Sequence, residues 1–115
     1  MILATVLMSS LPFIAVDFPL EQLPPQFEVQ RHANGGHGPA TTIVAADKTY
    51  RELAALLNAE RSGWKREYAT YVPQLTFQSK GMNINCTGKL IVVNYTARDG
   101  TPHQISKQTK QPCPG

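Results

Sequence analysis

Residues that commonly carry out catalysis are scarce in this sequence. It contains 8 aspartates and glutamates, 3 histidines and 2 cysteines among 115 residues. It has no Gly-x-Ser-x-Gly motif of the serine hydrolases, and no two carboxylates stand together in an apolar setting that would separate their pKa values. Cys86 and His103 lie on neighbouring predicted strands, but no helix start that would stabilise an oxyanion is predicted beside them. We therefore predict that the protein is not an enzyme.

The N-terminus lacks the features of a complete signal peptide and of a membrane helix. Residues 1–16 form two apolar runs around a Ser-Ser pair, without a positively charged start or a small-residue cleavage site. Their length and Pro12 exclude a stable membrane span. We interpret residues 1–16 as a degenerate signal-like segment, and the alternative is an N-terminal arm that packs on the domain. Three prolines predict an extended linker over residues 17–25, followed by a single domain over residues 26–115.

The two cysteines are too few for a structural zinc site. Cys86 lies in a strand pattern and Cys113 in a short tail between two prolines, so we predict a disulfide that holds the tail to the sheet. This bond would close a loop of 26 intervening residues and stabilise the fold by roughly 3 kcal/mol. It also predicts an extracytoplasmic location, periplasmic or secreted. Asn85 and Asn94 begin glycosylation-type triplets, which we interpret as chance matches.

Charge is distributed unevenly along the chain. Residues 1–30 contain three acidic and no basic residues, whereas residues 31–115 contain all 11 lysines and arginines. We interpret this asymmetry as a solvated surface of mixed charge, and the alternative is a surface for an acidic partner. The basic residues are not clustered densely enough to bind phosphates, so we predict no nucleic-acid binding. The aromatic residues Trp64, Tyr68 and Tyr71 follow the predicted helix, and we interpret them as core.

Residues 47–63 have the pattern of one amphipathic helix. Thr49 and Glu52 have the spacing of a capping box, and Gly63 stands where a left-handed residue would end the helix. Apolar residues recur at spacings of three and four residues. They are Tyr50, Leu53, Ala54 and Leu57. A helix of this length does not persist alone in water, so we expect its apolar face to pack on strands.

The segments on both sides of this helix have the patterns of strands. Residues 26–46 alternate around a glycine-rich turn and predict a long hairpin. Residues 75–107 predict a meander of three or four antiparallel strands. The predicted fold class is α+β, with one helix packed on an antiparallel sheet of about five or six strands and a disulfide-held C-terminal tail. This order of elements resembles the general plan of cystatin-like modules, but the chain contains no family motif.

The loop inside the predicted hairpin is the most unusual local feature. Two imidazoles on a glycine-rich loop are able to chelate a soft divalent ion, but two ligands hold a metal weakly and no third is evident. We therefore predict no metal and no cofactor. Loops on a rigid scaffold commonly carry recognition instead. The predicted partner-binding residues are His32, Asn34, Gly35, Gly36 and His37 in this loop, and Arg98 and Asp99 in the turn before the last strand.

These observations predict a binding role by elimination. The leading hypothesis is an exported inhibitor or immunity-type protein that occludes a partner enzyme or toxin with a surface loop. One alternative is a small-molecule carrier with a pocket between helix and sheet. That pocket would be lined by Leu53, Leu57, Trp64, Tyr68 and Phe77. The other alternative is an envelope structural component held by the apolar N-terminal segment.

Overall fold

A computed structural model describes residues 15–33, 36–66 and 72–115. Most of the predicted signal-like segment, residues 1–14, lies outside the described residues. The described part contains a short 3-10 helix at Leu20–Gln22 and one α-helix, α1, at Lys48–Ala59. It also contains eight strands: β1 (Gln26–Ala33), β2 (Gly36–His37), β3 (Thr41–Val44), β4 (Lys65–Arg66), β5 (Leu75–Ser79), β6 (Met82–Thr87), β7 (Leu90–Thr96) and β8 (Pro102–Gln108).

The strands form one antiparallel sheet in the order β2-β1-β5-β6-β7-β8-β4, with β3 also paired to β1. The predicted α+β class, with one helix on an antiparallel sheet, is confirmed. The predicted number of five or six strands is wrong, because the described residues form eight. Two of the extra strands, β2 and β4, are only two residues long, so they are too short to show an alternating pattern.

One face of the sheet forms the core beneath the helix. Side chains of five strands meet there in register, because residues paired across antiparallel strands point to the same face. This row consists of Val29, Phe77, Ile84, Val93 and Ile105. Phe77, Ile84, Val93 and Ile105 are fully buried. The opposite face carries mainly polar side chains, among them Gln30, Thr76 and Asn85.

Helix α1 packs on the core as predicted, with Tyr50, Leu53 and Leu57 buried. Its ends differ from the prediction. The N-cap residue is Asp47, and Thr49 lies inside the first turn. The Asp47 side chain accepts a hydrogen bond from the Val44 amide at 2.7 Å, which ties the helix to β3. Thr49 therefore does not form the predicted capping box.

The helix ends at Ala59, with Glu60 at the C-cap, and not at Gly63. The side chain of Glu60 turns to β8, where Lys107 Nζ lies 3.0 Å from its Oε1. Gly63 does adopt a left-handed conformation, with φ of 82°. It serves the turn that leads into β4, three residues after the C-cap.

The segment predicted as a linker, residues 17–25, contributes to the core. Phe18 is 2% exposed, and its ring centroid lies 5.4 Å from that of Trp64. The Phe18 amide donates to the Arg61 carbonyl at 2.8 Å, and Val16 and Trp64 form an antiparallel bridge. Through these contacts the segment packs against residues 61–64, which follow α1.

Cys86 on β6 and Cys113 in the tail form the predicted disulfide, with their Cα atoms 6.3 Å apart. This bond is compatible with the oxidising compartment that the sequence predicts. Within the described ranges, no helix combines the length and the apolar character needed to span a membrane.

Candidate functional site

The β1–β2 hairpin brings two of the predicted site residues together. His32 and His37 are direct partners across the two strands, as are Ala33 and Gly36. The imidazole Nδ1 atoms of His32 and His37 lie 2.6 Å apart, and the two rings meet edge to face with centroids 4.7 Å apart. Asn34 and Gly35, the two residues between the strands, lie outside the described residues.

The inner side of this pair is held by β5. His32 Nε2 lies 3.1 Å from the hydroxyl oxygen of Thr76, and that hydroxyl donates to the Gln30 carbonyl at 3.4 Å. Because the Thr76 hydroxyl donates its proton to Gln30, its oxygen accepts a hydrogen bond from the N–H at His32 Nε2. Neutral His32 then carries its proton on Nε2 and presents the Nδ1 lone pair to His37. Thr76 is 3% exposed, so this contact is shielded from water.

A second segment, Val72–Gln74, lies beside the hairpin and was not predicted as part of a site. The His32 amide donates to the Gln74 carbonyl at 2.9 Å. On the other side, the Thr87 hydroxyl donates to the Val72 carbonyl at 3.1 Å, and the Gly88 amide donates to the Gln74 side chain at 3.2 Å. The segment therefore connects the hairpin to the β6–β7 turn. Its only sequence signal is Pro73, which interrupts the strand pattern.

An open cleft of about 740 Å³ lies between the hairpin and this segment. Its walls include Arg31, His32, Gly36, His37, Val72 and Pro73. The Val72 side chain is 81% exposed beside it. Single exposed aliphatic side chains are normal on protein surfaces, and this one offers apolar area at the cleft that a partner can bury.

The C-terminal tail reaches the same end of the sheet. The guanidinium of Arg31 donates to the Gly115 carbonyl, and Cys113 is bonded to Cys86 on β6. We use the name "tip surface" for the ranges 31–33, 36–38, 72–74, 87–89 and 113–115. These ranges include Arg31 and Lys89 but no aspartate or glutamate, so the described part of this surface is basic.

The other predicted contact, the turn with Arg98 and Asp99, lies at the opposite end of the sheet. The pairing of β7 with β8 places Leu90 at the tip-surface end and Thr96 at the end with this turn. Six residue steps along a strand correspond to about 20 Å. The structure therefore does not bring Arg98 and Asp99 together with the histidine pair.

The Asp99 carboxylate has a local structural contact. Its Oδ1 accepts a hydrogen bond from the Thr101 amide at 2.9 Å, and this bond is the main reason that the pKa of Asp99 lies below its ordinary value. The Ala97 amide and the Thr101 carbonyl close the same turn at 2.8 Å. Asp99 thus shapes the turn in the way that aspartates commonly do.

The structure also shows the residues of two other sites considered from the sequence, the Cys86–His103 pair and the predicted carrier pocket. Cys86 is bonded to Cys113, so its sulfur is not a free thiol for the Cys86–His103 pair. The described residues of the predicted carrier pocket are packed in the core. Leu53, Leu57, Trp64 and Phe77 are at most 1% exposed. Tyr68, the remaining residue of that pocket, lies outside the described residues.

Fold and site define a small disulfide-bonded α+β domain with an open cleft beside the paired strands β1 and β2. Comparison of the chain with family models, curated proteins and solved structures found no significant match. Among the described residues, no group of three or more His, Cys, Asp or Glu side chains is placed to hold a metal ion together.

Proposed function

We propose that this protein is an exported, non-enzymatic binding protein of the inhibitor or immunity type, which blocks a partner enzyme with its tip surface. The observation that supports the proposal is the preorganisation of the hairpin. His32 contacts both His37 and Thr76. The Gly38 amide donates to the Arg31 carbonyl at 2.9 Å, and the Gln30 side chain donates to the Gly38 carbonyl at 2.7 Å. A loop that is already ordered loses little conformational entropy on binding.

The chemistry of the tip surface suggests the kind of partner. Arg31 and Lys89 provide positive charge, and Val72 provides an exposed apolar side chain beside the cleft. We expect a partner whose active-site entrance has an acidic rim and an apolar pocket. Opposite charges would speed the encounter and set the orientation, while burial of Val72 would add apolar contact area.

Arg98 and Asp99 are left out of this contact. The length of β7, about 20 Å, separates their end of the sheet from the tip-surface end, and one partner face of about 800 Å² covers one end of a domain this small. The resemblance of the element order to cystatin-like modules concerns the plan of the fold and adds no residue to the site. The turn at Arg98 therefore provides a natural control position.

The test uses the oxidised protein as bait for affinity capture, followed by an activity assay of each captured enzyme. The proposal expects inhibition by the parent protein, and a loss of affinity of at least about tenfold for Val72→Asp and for Lys89→Glu. Arg98→Glu changes the net charge by the same amount as Lys89→Glu, but it lies at the end of the sheet opposite to the tip surface. This variant should therefore inhibit the enzyme as strongly as the parent. Equal inhibition by all variants, or a loss confined to Arg98→Glu, would contradict the proposed surface.

A further inference from the structure

The contact between His32 and His37 is a short N–H···N hydrogen bond between the two rings. Their Nδ1 atoms are 2.6 Å apart. Two lone pairs at that distance repel each other, and two N–H groups would collide. One ring N–H donated to the other ring's lone pair satisfies both nitrogens, and a metal ion that displaces this proton would accept both lone pairs.

The surroundings of His32 favour a ligand role. Metal-binding histidines commonly donate their second ring N–H to an oxygen, which fixes the tautomer and the direction of the ligating lone pair. His32 does this through Nε2 and Thr76, with the Thr76 hydroxyl oriented in turn by the Gln30 carbonyl. The Nδ1 lone pair of His32 is thereby aimed at His37, on the exposed side of the hairpin.

We propose that His32 and His37 form a two-imidazole site for a borderline divalent cation, with Cu²⁺ preferred over Zn²⁺. Both Nδ1 atoms would coordinate the ion, and water would complete its shell. Metal–nitrogen bonds of about 2.0–2.1 Å with an angle near 90° need the two nitrogens about 2.9 Å apart. Coordination therefore requires the two nitrogens to move apart by roughly 0.3 Å from their present 2.6 Å, and both rings to turn so that their lone pairs converge on the ion.

The preference among ions follows from the ligands. Imidazole nitrogen suits copper and zinc, whereas magnesium and calcium prefer oxygen, and affinities of nitrogen sites peak at Cu²⁺. Arg31, the adjacent cation in sequence, points to the other face of β1 because side chains alternate along a strand. The site shares His32 and His37 with the tip surface, but it lies within one hairpin of the free protein, so its metal binding is measured without the partner.

The experiment is a calorimetric titration of the oxidised full chain with CuCl₂, and separately with ZnCl₂ and MgCl₂, in a buffer that does not coordinate metals. We expect one Cu²⁺ per chain, weaker Zn²⁺ binding and no Mg²⁺ binding. His32→Ala and His37→Ala should each lower the Cu²⁺ affinity by at least tenfold, and Thr76→Val should lower it by about tenfold through the lost orientation of His32. His103→Ala removes the third histidine of the chain and should leave the affinity unchanged.

Circular dichroism of each variant establishes that it is folded before titration. As a second readout, the ring-proton NMR signals of His32 and His37 should broaden on addition of Cu²⁺ while those of His103 stay sharp. The proposal is overturned if the His32→Ala/His37→Ala double variant binds Cu²⁺ as tightly as the parent. It is overturned as well if the parent does not saturate at one equivalent, or if Mg²⁺ competes with Cu²⁺ for the site.

Discussion

Lys107 Nζ on β8 lies 3.0 Å from Oε1 of Glu60, the residue that ends the helix. The other carboxylate oxygen accepts a hydrogen bond from the Lys110 amide at 2.7 Å. Glu60 is 8% exposed. The amide of Lys110, and next the side chain of Lys107, hold the pKa of Glu60 below its ordinary value. This carboxylate joins the C-terminus of α1 to the last strand.

Replacing Glu60 by glutamine should therefore destabilise the fold in a pH-dependent manner. At pH 7 we expect a loss of about 1–3 kcal/mol in the free energy of unfolding, because Lys107 and Lys110 lose a charged acceptor. A lowered pKa means that the contribution of Glu60 is present above the ordinary pKa of 4.5 and is lost as the pH falls through the folded-state value. The gap between parent and variant should thus shrink below about pH 4.5.

Urea unfolding, followed by the fluorescence of Trp64 at several pH values, measures this gap. Glu52→Gln is the matched control, because the Glu52 side chain is 51% exposed and lies 4.0 Å from Lys48. An exposed pair of this kind contributes little, so the control should unfold like the parent. A gap for Glu60→Gln that is constant from pH 7 to pH 3 would show that the charge of Glu60 is not the source of its effect.

The disulfide should contribute more stability than any single surface contact. Cys86 and Cys113 are 27 positions apart, and closing a loop of this length stabilises a fold by about 3 kcal/mol through the unfolded state. Cys113→Ser should lower the urea midpoint accordingly. The double variant Cys86→Ser/Cys113→Ser serves as the control for the single unpaired thiol. Mass measurement after alkylation without reductant should find no reactive cysteine in the parent, and modification of two thiols would contradict the bond.

Trp64 provides a test of the packing between the N-terminal segment and the helix end. It is fully buried, contacts Phe18, and its indole N–H donates to the Glu60 carbonyl at 2.7 Å. Trp64→Phe keeps most of the volume but loses the hydrogen bond, so we expect a cost of about 1–2 kcal/mol. Trp64→Ala also leaves a cavity and should cost about 3–5 kcal/mol. Thermal unfolding by circular dichroism should give this order, and equal effects would contradict the packing.

The parts of the fold that follow from local patterns were predictable from the sequence. The helix face with Tyr50, Leu53 and Leu57 follows from a spacing of three and four residues, and the bond between Cys86 and Cys113 follows from there being two cysteines in a predicted sheet and tail. The helix cap was not predictable in this way, because both Asp47 and Thr49 are good capping residues. The contact of Asp47 with Val44, across the connection from β3, was not visible in the residue types.

The site was predictable only in part for a similar reason. The glycine-rich sequence around His32 and His37 indicates a hairpin, but not that the two rings touch. The segment Val72–Gln74 accepts hydrogen bonds from Thr87 and from His32, which lie about 15 and 40 positions away in sequence. Hydrophobic periodicity does not indicate hydrogen bonds over such separations. Arg98 and Asp99 were grouped with the histidines because both segments are turns. The strand order then placed them at opposite ends.

Tyr50 connects the helix to the proline-rich segment before β1, and it should make stability sensitive to alkaline pH. Its hydroxyl donates to the Pro24 carbonyl, its ring packs against Phe27 with centroids 5.9 Å apart, and burial raises its pKa. A raised pKa means that the contribution is complete below the ordinary value of 10.0 and is lost as the pH rises through the folded-state value. Tyr50→Phe removes the hydroxyl but keeps the ring.

At neutral pH, Tyr50→Phe should therefore cost about 1 kcal/mol, since the Pro24 carbonyl loses its donor. Above about pH 10 the parent should lose stability faster than the variant, so that their urea midpoints converge. Tyr95→Phe is a matched substitution on β7, away from Pro24, and should retain the alkaline loss of the parent. If both variants lose stability in parallel with the parent up to pH 11, the alkaline sensitivity does not originate at Tyr50. That result would also show that the bond from Tyr50 to Pro24 does not stabilise the helix against the N-terminal segment.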